Sequence, residues 1–209
     1  MRSILIFLQA LCLAFAPLAA QAQATDAEAM VRQVTDDVLA TLRQDRGREA
    51  GGHRKAIALI EDKIAPHFDF QRMTQLAVGA GWRQASAAQR EQLTRAFRTL
   101  LVRTYANSLT AYRDQTVHFK PSSAAPQDDE VTVRSEIRQR GAPPIGLDYR
   151  LENTGGAWKV FDVTVANVSL VTTYRSSFAS ELAQGGPDGL IRSLEQHNRR
   201  LADGEATGS

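Results

Sequence analysis

The stretch WKVFDVTVANVSLVTTYRSSF, residues 158–178, decides the fold of this chain. It begins with alternating β-branched and aromatic residues, which predict a strand, and continues after Ser169 with apolar residues at helical spacing. Alternation assigns the apolar residues of the strand to two faces, with Trp158 and Val160 on one and Phe161, Val163 and Val165 on the other. Because both faces are apolar, the rest of the chain must provide apolar cover for both.

Two amphipathic helices are predicted in the first third of the chain. Valine and leucine recur on one helical face over residues 31–42, and isoleucine does so over residues 57–64. Gly51 and Gly52 separate the two segments, and Pro66 ends the second.

Two further helices are predicted from their capping residues. Asp69 can cap a short helix that stops at Gly79, and Ser86 forms a capping box with Gln89 three residues later. This box opens the longest predicted helix. Its buried stripe is expected to consist of Leu93, Phe97, Leu100, Leu101, Thr104, Leu109 and Tyr112.

Strands and then helices are predicted in the second half of the chain. Apolar and charged residues alternate within the strands predicted between residues 117 and 151, so one face of each should meet water. Residues 154–156 turn the chain into the strand of the opening stretch. Ser169 then caps a helix that Gly185 stops, and Pro187 opens the last one. The order predicts an α+β domain, a curled antiparallel sheet of about four strands packed against several helices and enclosing an apolar cavity.

The N-terminus has the pattern of a secretory signal peptide over residues 1–22. Arg2 supplies a positive charge, an apolar run extends from Ile4, and Ala20-Gln21-Ala22 has the small-x-small form of a cleavage site. Cleavage after Ala22, or two residues later, would leave one periplasmic domain at 23–202 and a frayed tail at 203–209. No later apolar run approaches the ~18 residues of a membrane span.

Composition excludes several function classes. Cys12 is the only cysteine and lies in the signal segment, so disulfides, thiol catalysis and cysteine-ligated metal are excluded for the exported chain. The formal net charge of +2 falls to +1 without Arg2, which argues against nucleic-acid binding. The four histidines have no metal-ligand spacing and the glycine pairs match no phosphate-binding loop, so we expect neither a metal nor a cofactor.

Asp162 is the one carboxylate of the apolar strand, and it leaves an enzyme as an alternative function. A buried carboxylate with a raised pKa can act as a general base in cone-shaped α+β enzymes. Without a partner acid, however, a local hydrogen bond or ion pair is the better explanation of Asp162. Ser169 lacks the Gly-x-Ser-x-Gly context of a nucleophile, so we assign no catalytic residue. A structural adaptor with a filled core is a third alternative.

Several motifs between residues 35 and 199 resemble one known family. They include Asp69-Phe70, Gly79-x-x-Trp82-Arg83-Gln84-Ala85-Ser86, Phe97-Arg98-x-Leu100-Leu101, Trp158-Lys159-Val160-x-Asp162 and Val168-Ser169-Leu170-Val171-x-x-Tyr174-Arg175-Ser176-x-Phe178. These are similar to motifs of the MlaC family, the periplasmic phospholipid-binding proteins also called toluene-tolerance proteins. Where that family usually has an acidic residue and glycine, this chain has Ala166-Asn167, and asparagine also tolerates left-handed backbone angles.

The resemblance implies a function without catalysis. It implies a soluble monomeric carrier that moves phospholipid between two membrane complexes. These would be an outer-membrane lipoprotein complex and the substrate-binding subunit of an inner-membrane ABC transporter. The transfer would maintain outer-membrane lipid asymmetry. The acyl chains would lie inside the fold, in a cavity that we expect to be lined by Phe97, Leu100, Leu101, Thr104, Tyr105, Tyr149, Trp158, Val160, Val163, Val165, Val168, Tyr174 and Phe178. Arg150 and Arg175 could bind the head-group phosphate at the mouth, with surface ion pairs as the alternative.

Overall fold

The computed structural model describes residues 19–44, 52–121 and 129–207. Within them, the helices are α1 (Ala19–Gln44), α2 (Gly52–Leu59), α3 (Phe70–Val78), α4 (Ala80–Gln84), α5 (Ala87–Thr110) and α6 (Leu170–Thr207). The strands are β1 (Thr116–Phe119), β2 (Glu130–Arg138), β3 (Ile145–Thr154), β4 (Ala157–Val165) and β5 (Val168–Ser169). They form one open antiparallel sheet in sequence order, which confirms the predicted α+β class and adds a short fifth strand.

The predicted signal peptide falls mainly on residues 1–18, which lie outside the described residues, as do the side chains of residues 19–25. The signal peptide and its cleavage therefore stay predictions. No helix in the three described ranges is long and apolar enough to cross a membrane. At the other end, α6 extends to Thr207, and fraying of the tail from Asp203 also stays a prediction.

The predicted helix caps are confirmed. The Asp69 carboxylate accepts a hydrogen bond from the Arg72 backbone amide at 2.8 Å, and α3 ends at Gly79, whose φ of 60° suits glycine. At α5, the Gln89 amide donates to Ser86 Oγ at 3.2 Å, and the Ser86 amide donates to Gln89 Oε1 at 2.9 Å. This is the complete capping box.

Two helix boundaries differ from the prediction. The isoleucine helix is not regular to Pro66, because α2 ends at Leu59 and a π-helical segment covers Ile60–Ile64. A short 3-10 segment, Ala65–His67, follows. The predicted stop at Gly185 is wrong by one residue: the backbone leaves the helical region at Gly186, with φ 60° and ψ −162°, and the helix resumes at Pro187.

A β-bulge at Phe161 changes which residues of β4 share a face. Arg150 pairs with Asp162 and Leu151 pairs with Val160, so Phe161 is the extra residue on β4. The prediction that Val163 and Val165 face away from Val160 is therefore wrong. The bulge places the residues after Phe161 on the same face as those before it. Trp158, Val160, Val163 and Val165 lie in one apolar cluster, whereas Phe161 lies in another.

The first of these clusters lies between the sheet and α1. We call this side of the sheet the α1 face; its buried residues are Val131, Val133, Leu151, Trp158, Val160 and Val163, packed with Ala27 and Val31 of α1. The second cluster joins α3, α4, α5 and α6 around Phe97 and Phe161, and we call it the helical cluster. Phe68 packs against both clusters and connects them.

Arg72 ties α3 to the sheet beside the bulge. Its guanidinium pairs with Glu152 and Glu130 and lies 4.3 Å from the centroid of the Phe161 ring. Arg150 contacts the same ring at 4.7 Å. Burial raises the pKa of Glu152, and the neighbouring Arg72 acts in the opposite direction. The bulged phenylalanine thus contacts two guanidinium groups, while the ion pairs of Arg72 join α3 to the sheet.

Candidate functional site

The α1 face is closed at one end and open at the other. Leu151 and Val160 are buried under α1, whereas Leu147, Tyr149 and Val165 are only half-buried. We call these three half-buried residues the open end. Apolar surface that a protein's own helices leave partly uncovered is typical of ligand-binding and interaction sites.

The predicted lining residues fall into two groups and one outlier. Tyr149, Trp158, Val160, Val163 and Val165 lie on the α1 face. Phe97, Leu100, Leu101, Tyr105, Tyr174 and Phe178 belong to the helical cluster or pack against it. Thr104 joins the second group through a side-chain hydrogen bond with Tyr174. Val168 lies on β5, is 57% exposed and contributes to neither cluster.

Burial separates the predicted lining residues further. Phe97, Leu100, Leu101 and Phe178 are buried, as are Trp158, Val160 and Val163. Thr104, Tyr105, Tyr149, Val165 and Tyr174 are half-buried. The half-buried residues and the exposed Val168 could contact a ligand without displacing packed side chains, whereas the buried ones could not, so a role of the whole set as cavity lining stays a prediction.

The helical group is organised by aromatic packing. The rings of Phe97 and Tyr174 meet edge to face with centroids 4.9 Å apart, and those of Phe97 and Phe178 do so at 5.2 Å. This is the geometry that aromatic quadrupoles favour. The Tyr174 hydroxyl interacts with Thr104 and Tyr105, so a small polar group lies among these rings.

Burial raises the pKa of two tyrosine hydroxyls. Burial raises the pKa of Tyr174 to about 12, with the nearby Tyr105 hydroxyl as the next cause. Burial likewise raises the pKa of Tyr149 to about 12, and a hydrogen bond with the Thr35 side chain opposes that shift. Sequence reasoning missed Thr35 as a site residue. Its position one helical turn after Val31, on the predicted buried face, was the available signal.

A pocket of about 330 Å³ lies between α1 and the segment before α3, at the lower end of the range for small-molecule sites. Its lining mixes apolar and charged residues: Met30, Gln33, Val34, Asp37, Asp62, Lys63, Pro66 and His67. Burial lowers the pKa of His67, and the charge of Lys159 lowers it further. Met30 also packs against the α1 face, so this pocket adjoins the sheet cluster.

Asp162 has a structural environment. The carboxylate is buried and accepts hydrogen bonds from Ser169 Oγ at 2.7 Å and from the Val171 amide at 3.2 Å. Ser169 Oγ in turn accepts from the Thr172 amide at 3.1 Å, which confirms it as the cap of α6. Asp162 therefore joins β4 to the first turn of α6, and this arrangement supports a local role over general-base chemistry.

Both arginines proposed for head-group binding have partners within the protein. Arg150 pairs with Glu130 at 3.5 Å, and its Nη1 lies 3.9 Å from Asp162 Oδ2. Arg150 neighbours Tyr149 in β3, so the two side chains point to opposite faces of the sheet. Arg175 Nε donates to the Leu76 carbonyl at 2.8 Å. Head-group binding by either residue stays a prediction.

The open sheet, the half-covered α1 face and the surrounding helices define an α+β protein with partly exposed apolar surface at one end of its sheet. The chain belongs to the MlaC protein family, whose sequence pattern matches residues 32–196. This confirms the resemblance that the motifs indicated.

Individual relatives agree with this assignment. The chain is 24% identical over 170 residues to the intermembrane phospholipid transport system binding protein MlaC of Haemophilus influenzae, covering 80% of this chain and 79% of that one. It is 29% identical over 108 residues to the toluene tolerance protein ttg2D of Pseudomonas putida, covering 51% of this chain and 49% of that one.

A solved structure is also similar. The phospholipid-binding protein of Ralstonia solanacearum, determined in complex with a phospholipid, matches with a TM-score of 0.78 and 41% sequence identity. The match covers 84% of this chain and 98% of the Ralstonia chain. The chain therefore shares its fold with the Ralstonia protein, which was solved with a phospholipid bound.

Proposed function

We propose that this protein is a periplasmic phospholipid carrier, not an enzyme. The observation that carries the proposal is the match over 98% of the Ralstonia protein, at 41% identity, because that protein was solved with a phospholipid bound. The partners would be an outer-membrane lipoprotein complex and an inner-membrane ABC transporter, as expected for a member of this family. The carrier would thereby maintain the lipid asymmetry of the outer membrane.

The energetics of lipid transfer explain why the α1 face would be left partly open. Two acyl chains hold about 30 methylenes, and at ~0.8 kcal/mol each their burial is worth roughly 24 kcal/mol relative to water. A carrier must offer comparable apolar surface, and it must release the chains directly to a docked acceptor. Leu147, Tyr149 and Val165 are half-buried apolar side chains of the kind that bound acyl chains could cover.

Aromatic hydroxyls give this surface polar contacts as well. The Tyr149 hydroxyl, like that of any neutral tyrosine, can both donate and accept a hydrogen bond, and one of these bonds is made with the Thr35 side chain. Tyr174 has the same property and lies near Thr104 and Tyr105. Such hydroxyls can bind ester oxygens near the glycerol of a lipid while the rings contact acyl chains.

Native mass spectrometry of the purified protein, followed by organic extraction, tests the proposal. A carrier is expected to give a mass increment that matches the phospholipid recovered in the extract. A protein without extractable lipid that also fails to take up phospholipid from detergent micelles would contradict the proposal and favour a structural adaptor. Turnover of a small molecule that depends on Asp162 would favour the enzyme instead.

A further inference from the structure

The apolar strip of the α1 face continues to an exposed end of the sheet. Along β3, Leu151 is buried, Tyr149 and Leu147 are half-buried, and Ile145 is 46% exposed. These four residues alternate on one strand and therefore point to the same face. Burial thus decreases continuously along the strip, and the strip ends at Ile145.

The β4–β5 turn adds to the same exposed end. Val168 pairs with Val165, so both side chains lie on one face, and the Ala166 amide donates to the Gly146 carbonyl at 2.9 Å. We call residues 140–146 and 166–168 the rim. Among the described residues, Ile145 and Val168 are the large apolar side chains that are exposed, and both lie in the rim.

The loop that forms the first part of the rim is basic and conformationally restricted. Residues 137–147 contain Arg138 and Arg140 and no carboxylate. Arg138 pairs with Glu136, whereas Arg140 is exposed and makes no ion pair within the described part of the chain. Pro143 and Pro144 are exposed and fix their own φ angles, so the loop loses little conformational freedom on docking.

We propose that the rim docks directly on a bilayer surface that contains anionic phospholipid, with Ile145, Val168 and the two prolines at the head-group boundary and Arg140 on lipid phosphates. Small apolar insertions beside basic side chains favour such a surface through buried apolar area and electrostatic attraction. The rim is also smaller than the roughly 20–30 residues per side of a stable protein interface. The proposal rests on the carrier function, because it places the lipid-binding strip against the bilayer.

Flotation with vesicles of phosphatidylcholine, with or without phosphatidylglycerol, tests the proposal. The protein is expected to float with the anionic vesicles and much less with the neutral ones. Arg140→Gln should weaken binding to anionic vesicles about fivefold, the effect of one basic side chain near such a surface. Arg95→Gln is the matched control, because Arg95 is an exposed arginine on α5 and the charge change is the same.

A second variant tests the apolar part at constant charge. Ile145→Ser combined with Val168→Ser should weaken flotation at least tenfold, because several apolar carbons leave the interface. Both side chains are exposed, so the thermal unfolding midpoint should stay near that of the unaltered protein. Lipid extraction from each variant separates the two proposals: a variant that holds lipid but does not float supports docking by the rim, whereas a protein that floats without ever holding lipid contradicts only the carrier function.

Two results would overturn the proposal. One is that the unaltered protein does not float with anionic vesicles. The proposal would then be wrong even if the rim were found to bind a partner protein instead. The other is that the unaltered protein floats and both rim variants float equally well, because the membrane surface would then lie elsewhere on the molecule.

Discussion

Ser169 Oγ donates a hydrogen bond to Asp162 Oδ2 at 2.7 Å across the turn between β4 and α6. The same carboxylate accepts from the Val171 amide, one of the amides at the start of α6 that lack a helical partner. A negative charge at this position also interacts favourably with the helix dipole. The only carboxylate of the apolar strand thus fixes where α6 begins relative to the sheet.

Substitution of Asp162 separates its structural role from catalysis. Asp162→Asn is expected to cost about 1 kcal/mol of unfolding free energy, because the amide can accept from Val171 and donate to Ser169. Asp162→Ala should cost about 1–3 kcal/mol, because the buried amide of Val171 loses its partner. Denaturant unfolding measures both values. Co-purified phospholipid should stay within about threefold of the original level in Asp162→Asn, since a single hydrogen bond is worth about 1 kcal/mol.

Enlarging a side chain at the open end tests whether lipid occupies that space. Val165→Trp is expected to reduce co-purified phospholipid while changing the stability of the delipidated protein little, because Val165 is half-buried. Val160→Trp is the matched control on the same face. Val160 is 2% exposed, so overpacking should cost about 1–3 kcal/mol.

Both stabilities are measured after lipid removal, since a bound ligand raises the apparent stability by mass action. If Val165→Trp keeps its full lipid content and unfolds as easily as Val160→Trp, position 165 belongs to the packed core. The open end would then not be a ligand surface.

Loss of the Arg72 side chain should destabilise the contact between α3 and the sheet. Arg72→Ala is expected to cost about 1–3 kcal/mol, because Glu152 loses its compensating charge and Phe161 loses a cation–π contact. Arg95→Ala removes an exposed ion pair with Glu91 and should have no measurable effect. Thermal unfolding compares them, and equal effects would mean that the Arg72 contacts do not contribute to stability.

Alkaline pH should destabilise the protein through its buried tyrosines. Burial raises the pKa of Tyr149 and Tyr174 from 10.0 to about 12. The unfolded chain releases these protons at lower pH than the folded chain. The stabilising contribution is therefore present below pH 10 and is lost as the pH rises toward 12.

Denaturant unfolding between neutral pH and about pH 11 measures this effect, since free tyrosine titrates near 10. Tyr149→Phe removes one ionisable hydroxyl and should flatten the decline in stability at high pH. An unchanged decline would show that Tyr149 ionises as readily in the folded chain as in the unfolded one.

Local signals in the sequence predicted most of the secondary structure. Asp69, Ser86 and Ser169 cap helices as expected, because a cap depends only on residues within one turn. The α+β class follows from the order of periodic segments. The π-helical segment at Ile60–Ile64 and the one-residue displacement of the kink to Gly186 depend on packing between helices, which periodicity does not describe.

The site was less predictable because it depends on pairing between strands. Phe161 is identified as a bulge only through the partners of β3, so alternation along β4 alone gave the wrong faces for Val163 and Val165. Thr35 contacts Tyr149 from a helix more than 100 residues away in sequence. Helical and strand patterns identified apolar residues correctly, but they could not distinguish buried Phe97 from half-buried Tyr105.

The bulge at Phe161 also has an evolutionary consequence. The two residues next to Phe161 in β4 lie in environments that differ from that of Phe161. Val160 belongs to the α1 face, and the Asp162 carboxylate binds the start of α6. Deleting one residue here would restore a regular ladder but remove the aromatic ring from the helical cluster. Side chains of the open end, such as Val165, can therefore be substituted one at a time during evolution. The length of β4 is constrained more tightly, because an insertion or deletion would alter the packing of both the α1 face and the helical cluster.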